Sequence, residues 1–113
     1  MYRDDLIRLR HMLDAAREAL EFTSGKSKDE FSSNRMAVLA VVKDIEIIGE
    51  AASKVSSEMQ ERYEAIPWRD ITDMRNHLIH AYYDVDPEVV WDTIQKDLPP
   101  LLETLRKILP PKE

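Results

Sequence analysis

The segment Asp73–Tyr83 concentrates the side chains of this sequence that suit acid–base chemistry. It contains Arg75, Asn76 and two of the three histidines, His77 and His80. An imidazole can take the proton of a ribose 2′-hydroxyl, while a guanidinium stabilises the charge that develops on the phosphate. Neither step requires a metal ion. The segment therefore indicates metal-independent cleavage of RNA as one possible chemistry.

The same segment also fits a purely structural interpretation. His80 would then cap the end of a helix, and Arg75 would pair with Asp73 or Glu50 at the surface. The tyrosines at positions 82 and 83 would pack against the last helix. One arginine and one histidine within six residues are a weak signal alone, so residue chemistry by itself favours the structural interpretation.

The spacing of these residues sets a geometric condition on any shared site. Asn76 and His80 are four residues apart and would share one face of an ideal helix. Arg75 and His80 are five residues apart and would diverge by about 140°. Their side chains can converge only if the helix is distorted, as is common near a helix end. We therefore expect the site at a helix terminus or in a cleft between helices.

Composition predicts one small all-helical domain over residues 1–113. The chain has only two glycines, 43% hydrophobic residues and 34% charged residues, which favours helix over a multi-stranded sheet. No apolar run approaches the roughly 20 residues that span a bilayer, and the first residues do not resemble a secretory leader. We therefore expect a cytoplasmic protein that does not enter a membrane.

Charge and cysteine content narrow the function classes further. The chain has no cysteine, and its three histidines lack the spacing typical of metal ligands, so we expect neither a bound metal nor a cofactor. The formal net charge of −6 opposes a phosphate backbone at long range. This excess of negative charge argues against broad, nonspecific binding of nucleic acid.

The periodicity of apolar residues predicts the first two helices. One runs from Asp4 to about Phe22 and is stopped by Gly25, which suits a left-handed cap. The next is capped by Ser27 or Ser32 and carries an unusually wide apolar stripe. A helix that is apolar on more than one side is expected at the centre of a bundle, covered by neighbouring helices and by a second subunit.

The second half of the chain predicts three more helical segments. A short polar helix should cover Ser57–Ala65, and a third helix should run from Pro67 to Ile79 or slightly beyond. In the third helix Ile71, Met74 and Leu78 should face inward, Arg69, Asp73 and His77 outward, and Trp68 should close one end of the core. The final helix should begin at Asp86–Pro87 and be interrupted at Pro99–Pro100.

Four stretches together resemble a known family. They are Ile45–Ala51 (IEIIGEA), Ile66–Trp68 (IPW), Arg75–Tyr82 (RNHLIHAY) and Asp97–Leu101 (DLPPL). In this order they resemble the HepT-like branch of the HEPN superfamily, and the third contains an Arg-x4-His-x-Tyr motif. The resemblance covers nearly the whole chain, so it is more specific than the arginine–histidine pair alone.

The resemblance implies a fold, an activity and partners. The fold would be an antiparallel four- to five-helix bundle that forms a homodimer, with two copies of the motif in a cleft between subunits. The activity would be that of a toxin from a toxin–antitoxin pair, a metal-independent endoribonuclease with Arg75 and His80 as catalytic residues. The antitoxin would be a minimal nucleotidyltransferase.

The resemblance also implies a control point at Tyr82. In such pairs the antitoxin can transfer AMP from ATP to the motif tyrosine, and the added bulk and negative charge would obstruct an RNA phosphate. Asn76 would support the site by orienting His80 or the substrate. Tyr83 is expected to serve in packing.

Two other functions remain open from the sequence. The chain could be a noncatalytic dimeric partner of a minimal nucleotidyltransferase, with Arg75 and His80 contacting nucleotide phosphate without cutting RNA. It could also be a helical dimer without a catalytic role, in which those two side chains point apart into solvent. Growth arrest when the chain is expressed alone would favour the toxin.

Overall fold

The computed structural model describes the backbone of residues 2–81 and 84–109 and the side chains of residues 3–74 and 85–109. This part of the chain is helical except for one short two-stranded ribbon. The elements in order are α1 Tyr2–Thr23, α2 Lys28–Ser33, α3 Arg35–Lys54, α4 Ser57–Arg62, α5 Trp68–Leu78, β1 Ile79–Ala81, β2 Asp84–Val85, α6 Pro87–Lys96 and α7 Leu98–Ile108. The predicted all-α fold is confirmed. The described part has seven helices where four to five were expected, because two of them have only six residues each.

The end of α1 follows the predicted left-handed turn. Gly25 has a φ of +75°, a conformation that side chains with a Cβ atom rarely adopt. The amide of Lys26 donates to the carbonyl oxygen of Thr23 at 3.1 Å, and the Thr23 hydroxyl donates back to the Leu20 carbonyl at 3.2 Å. The carbonyls at the helix end therefore have partners, and the chain reverses direction within four residues.

The predicted second helix is two helices, each with its own cap. Ser27 begins α2 with a capping box, in which its hydroxyl accepts from the amide of Glu30 at 3.1 Å and its own amide donates to the Glu30 carboxylate at 2.8 Å. Ser32 was the alternative cap, but α3 is instead capped by Asn34, whose side chain accepts from the amide of Ala37 at 3.1 Å. Asn34 has extended backbone angles, so the helix breaks there. Ser27 is thus confirmed as a cap and Ser32 is not one.

The helix α3 lies at the centre of the bundle, as its wide apolar stripe predicted. It packs against α1, α2, α5 and α6. Its buried residues include Val41, Ile45 and Ile48, each with no exposed surface. Its contact with α5 is close because a Cβ atom added at Gly49 would lie 3.3 Å from the carbonyl oxygen of Ile71. Glycine at this position lets two helix backbones approach each other.

The last two helices arise from the predicted interruption. The side chain of Asp86 caps α6 by accepting from the amide of Glu88 at 3.0 Å, and Pro87 occupies the first helical position. The helix α6 ends at Lys96 and α7 restarts at Leu98, with Pro99–Pro100 in its first turn, where a missing amide donor costs no helical bond. The restart at the prolines is confirmed, and α7 packs back onto α1 and α6.

Candidate active site

The helix α5 carries the first part of the motif. It begins after Pro67, and the indole N–H of Trp68 donates to the carbonyl oxygen of Tyr63 at 3.1 Å, which fixes the start of the helix. Trp68, Ile71 and Met74 are buried, whereas Arg69 and Asp73 are exposed, as predicted. Packing of this inner face against α3 and α6 therefore sets the rotation of the helix that contains Arg75.

The helix ends before it reaches His80. It was expected to run to Ile79 or slightly beyond, but α5 ends at Leu78 and Ile79–Ala81 forms β1. The prediction of the helix end was wrong because the backbone of these residues pairs with β2, only three to six residues further along the chain, and helical periodicity of the side chains does not register this pairing. The 140° divergence calculated for an ideal helix therefore does not apply to Arg75 and His80. The expected distortion at the helix end is present.

His80 occupies an irregular position in the ribbon. Ile79 pairs with Val85 and Ala81 pairs with Asp84, so β1 advances by two residues where β2 advances by one. The extra residue of β1 is His80. A residue added to one strand in this way forms a β-bulge, a feature that is enriched next to active sites because it changes the direction of a side chain. The bulge thus lies two residues beyond the end of α5, the helix that carries Arg75, and it contains His80.

The side chains of the predicted site are not among those the structure describes. Arg75 and Asn76 are placed by their backbone in the last turn of α5, and His80 by its backbone in β1. Tyr82 and its neighbour Tyr83 lie outside the described residues altogether. The catalytic roles of Arg75 and His80, the support by Asn76 and the modification of Tyr82 therefore stay predictions.

Glu50, one of the two surface partners suggested for Arg75, forms an ion pair with Lys54. The carboxylate of Glu50 lies 2.9 Å from the ammonium group of Lys54, one helical turn further along α3. This ion pair and its hydrogen bond hold the pKa of Glu50 below its usual range. A pairing of Arg75 with Glu50 would have to compete with Lys54.

The sequence analysis missed a buried carboxyl group at the contact between α1 and α3. Asp44 is only 2% exposed, and its Oδ2 atom has no hydrogen-bond partner. Burial raises the pKa of Asp44 to about 7, and the hydrogen bond and negative charge of Glu18 on α1 act in the same direction. The signal in the sequence was an aspartate directly before Ile45 within the apolar stripe of α3.

The helices α1 and α3 carry exposed apolar side chains. Among the described residues, the exposed large hydrophobic side chains all belong to these two helices: Ile7, Phe22, Met36, Leu39 and Ile47. The most exposed of them is Met36, at 84%. Between the two helices runs a groove of about 790 Å³, which is lined by Ile7 and Ile47 and by charged side chains of both signs, among them Lys43 and Glu50. We call this surface the α1–α3 face.

The described residues contain neither a cluster of candidate metal ligands nor a helix that could cross a membrane. Among them, no group of three or more histidine, cysteine, aspartate or glutamate side chains is arranged to hold a metal ion. No helix within residues 2–81 and 84–109 combines the length and the apolar character required to cross a lipid bilayer.

Comparison with known proteins identifies the family. The model of the family described as Ribonuclease HepT-like matches residues 12–108. A protein named Putative RNase from Caldanaerobacter subterraneus subsp. tengcongensis is 35% identical over 89% of this chain and 90% of its own length. A protein named Probable ribonuclease HepT from Thermococcus cleftensis is 39% identical over 77% of this chain and 82% of its own length.

A third relative is a longer protein. It is named Gamma-glutamylcyclotransferase and putative RNase, comes from Methanocaldococcus jannaschii, and is 38% identical over 96% of this chain. The chain spans about half of its length, 49%. No solved structure matches the chain significantly. The match of the family model to most of the chain, together with these relatives, places the chain in the HepT-like ribonuclease family of the HEPN superfamily.

Proposed function

We propose that this chain is a metal-independent endoribonuclease that acts as the toxin of a toxin–antitoxin pair. The observation that carries the proposal is the family match over residues 12–108, which contains the whole Arg-x4-His-x-Tyr motif. The position of His80 at a bulge, just beyond the helix of Arg75, supports the assignment of these two residues as catalytic. Asn76, in the same helical turn as Arg75, would support them.

The proposed reaction is attack of a ribose 2′-oxygen on the adjacent phosphorus. The imidazole of His80 takes the 2′-hydroxyl proton as the 2′-oxygen–phosphorus bond forms, and the guanidinium of Arg75 stabilises the charge on the phosphate oxygens. The bond from phosphorus to the 5′-oxygen breaks, and the imidazolium returns a proton to that oxygen. The products are a 2′,3′-cyclic phosphate and a 5′-hydroxyl end.

The proposed partner is a minimal nucleotidyltransferase antitoxin that transfers AMP from ATP to Tyr82, joining the phenolic oxygen to the α-phosphorus and releasing pyrophosphate. Incubation with this partner and ATP is expected to add one or more AMP units to Tyr82 and to stop RNA cleavage, because the added phosphate repels the RNA backbone. Intact mass and peptide mapping would measure the modification, with Tyr82→Phe as the matched control. Neutralisation without any mass gain would contradict modification and point to simple occlusion.

We also propose that the single helical domain functions as a homodimer joined through the α1–α3 face. Its exposed apolar side chains would gain most from being covered, and the face carries both cations such as Lys43 and anions such as Glu50. A surface with both signs of charge can pair with its own copy across a twofold axis. The resemblance implies two copies of the motif in one cleft between subunits, so loss of the proposed dimer should also lower activity.

Ile47→Glu tests this dimer. The change removes one of the exposed apolar side chains of the face and adds a charge that the interface would have to desolvate, so it should shift the protein from dimer to monomer. Light scattering during size-exclusion chromatography would measure the mass. Gln95→Glu, which adds the same charge at an exposed position of α6, should remain dimeric. A monomeric parent protein, or an Ile47→Glu variant that dimerises like the parent, would refute the proposed interface.

A further inference from the structure

A small depression lies beside the helix that carries the motif. It lies between the end of α3, α4 and the first turns of α5, is open to solvent, and has a volume of about 340 Å³. Its lining residues are Ser53, Gln60, Trp68, Arg69, Thr72 and Asp73. Because it is open, it suits one unit of a chain that lies across the surface better than a small ligand that must be buried on most sides.

Two polar side chains of the depression donate hydrogen bonds to backbone carbonyl groups, and the others could contact a ligand. The amide nitrogen of Gln60 donates to the carbonyl oxygens of Val55 at 3.1 Å and Ala52 at 3.4 Å, so its side chain is held in place. The Ser53 hydroxyl donates to the Glu50 carbonyl at 2.7 Å. Among the described residues Arg69 has no ion pair, and its side chain is exposed.

The mixture of donors and acceptors limits what could bind. Arg69 offers a cation with several N–H donors, Thr72 offers a hydroxyl, and Asp73 offers a carboxylate. A bare phosphate would be repelled by Asp73. A nucleotide unit carries an anionic phosphate together with donors, which are the ribose 2′-hydroxyl and the amino groups of the base. This combination fits one cation beside one carboxylate.

The depression is also close to the motif along the chain. Arg69 precedes Arg75 by six residues, which is about 9 Å along the helix axis and about 120° around it, so the link between the depression and the motif is through the side of α5 that holds Asn76. Thr72 and Asp73 precede Asn76 by four and three residues, spacings that place all three positions on one side of α5. An RNA strand that reaches the motif could therefore extend along this side of the helix to the depression.

We propose that the depression is a subsite for one nucleotide of the RNA that flanks the cleaved bond, with Arg69 binding its phosphate and Asp73 accepting from its ribose or base. The inference rests on the proposed ribonuclease function. Arg69 is a positioning residue, since it would hold the strand without taking part in proton transfer. The subsite would supply a local cation for RNA binding in a protein whose net charge is −6.

Arg69→Ala tests the subsite in a His80→Ala background, which keeps the RNA uncut during a binding measurement. Affinity for a labelled single-stranded RNA would be measured by fluorescence anisotropy at several salt concentrations. The dissociation constant is expected to rise by about 5- to 20-fold, and the slope of log affinity against log salt to fall by about 0.7 for each phosphate that the variant no longer neutralises. Arg69→Lys should keep most of the salt slope.

Arg106→Ala is the matched control. It removes the same charge from an exposed position on α7 that does not line the depression, so it should change the dissociation constant by less than about twofold. With His80 restored, Arg69→Ala should raise KM and leave kcat nearly unchanged.

The outcomes separate the subsite from the nuclease function. Equal losses of affinity in Arg69→Ala and Arg106→Ala, or no loss in either, would overturn the subsite alone. A parent protein that binds RNA with the expected dependence on Arg69 but does not cut it would overturn the nuclease function alone. A parent protein that does not bind single-stranded RNA would overturn both.

Discussion

Alanine at either Arg75 or His80 is expected to lower the rate of RNA cleavage by about 10²- to 10⁴-fold, because each change removes a group that acts on the reacting phosphodiester. Single-turnover cleavage of an end-labelled RNA would measure the loss. Since both groups serve one chemical step, the double variant should be little slower than the slower single variant. Expression of either variant without the antitoxin should also no longer arrest growth.

Two controls separate this result from a loss of structure. Both variants should keep the helical circular-dichroism spectrum and the oligomeric state of the parent if the loss of cleavage is a loss of chemistry, and both properties would be measured beside the rate. Arg106→Ala removes an arginine outside the motif and should cut RNA at nearly the parental rate. Parental toxicity in both motif variants would show that the active site lies elsewhere.

The second large effect that we expect is a pH dependence of the free energy of unfolding, which arises from the buried carboxyl group of Asp44. Its folded-state pKa of about 7 lies above its ordinary value of 3.8, so the folded chain holds this proton more tightly than the unfolded chain. The resulting stabilisation is complete below pH 3.8 and is lost as the pH rises through 7. Between pH 5 and 8 the free energy of unfolding should fall by about 2–3 kcal/mol from this group.

Asp44→Asn should remove most of this pH dependence and should stabilise the protein at pH 8. An asparagine amide is neutral and can still donate a hydrogen bond to Glu18, as the protonated carboxyl group does. Urea unfolding at pH 5 and pH 8, at one protein concentration, would measure the difference. Glu64→Gln removes an exposed carboxylate and should leave the pH dependence unchanged. A variant at Asp44 that retains the full parental pH dependence would contradict the assignment.

The parts of the fold that depend on local chemistry were predicted from the sequence. The turn at Gly25 requires a left-handed backbone, and the start of α6 at Asp86–Pro87 requires a capping carboxylate followed by a proline. The division between α2 and α3 was not predicted, because the apolar period continues across it and one helix was expected from Ser27 or Ser32. The short helix α2 is held by Phe31, which is fully buried against Trp91 at a ring distance of 5.6 Å, and Asn34 caps the helix that follows.

The parts that depend on strand pairing and on the packing of one helix against another were not predicted. Ile79–Ala81 continues a helical pattern in the sequence, and its antiparallel pairing with Asp84–Val85, three to six residues further along the chain, makes it a strand. The spacing of Arg75 and His80 correctly indicated a distortion at a helix end, but the bulge that produces it involves the partner strand. The burial of Asp44 likewise follows from how α1 covers α3, and no local pattern fixes that arrangement.

The central claim is that this chain cuts RNA without a metal ion by using His80. Its most direct test is cleavage of a labelled RNA by the purified parent protein in excess EDTA, beside His80→Ala prepared in the same way. We predict cleavage by the parent, with products that end in a 2′,3′-cyclic phosphate, and none by His80→Ala. Equal cleavage by both proteins, or cleavage by the parent that EDTA abolishes, would contradict the claim.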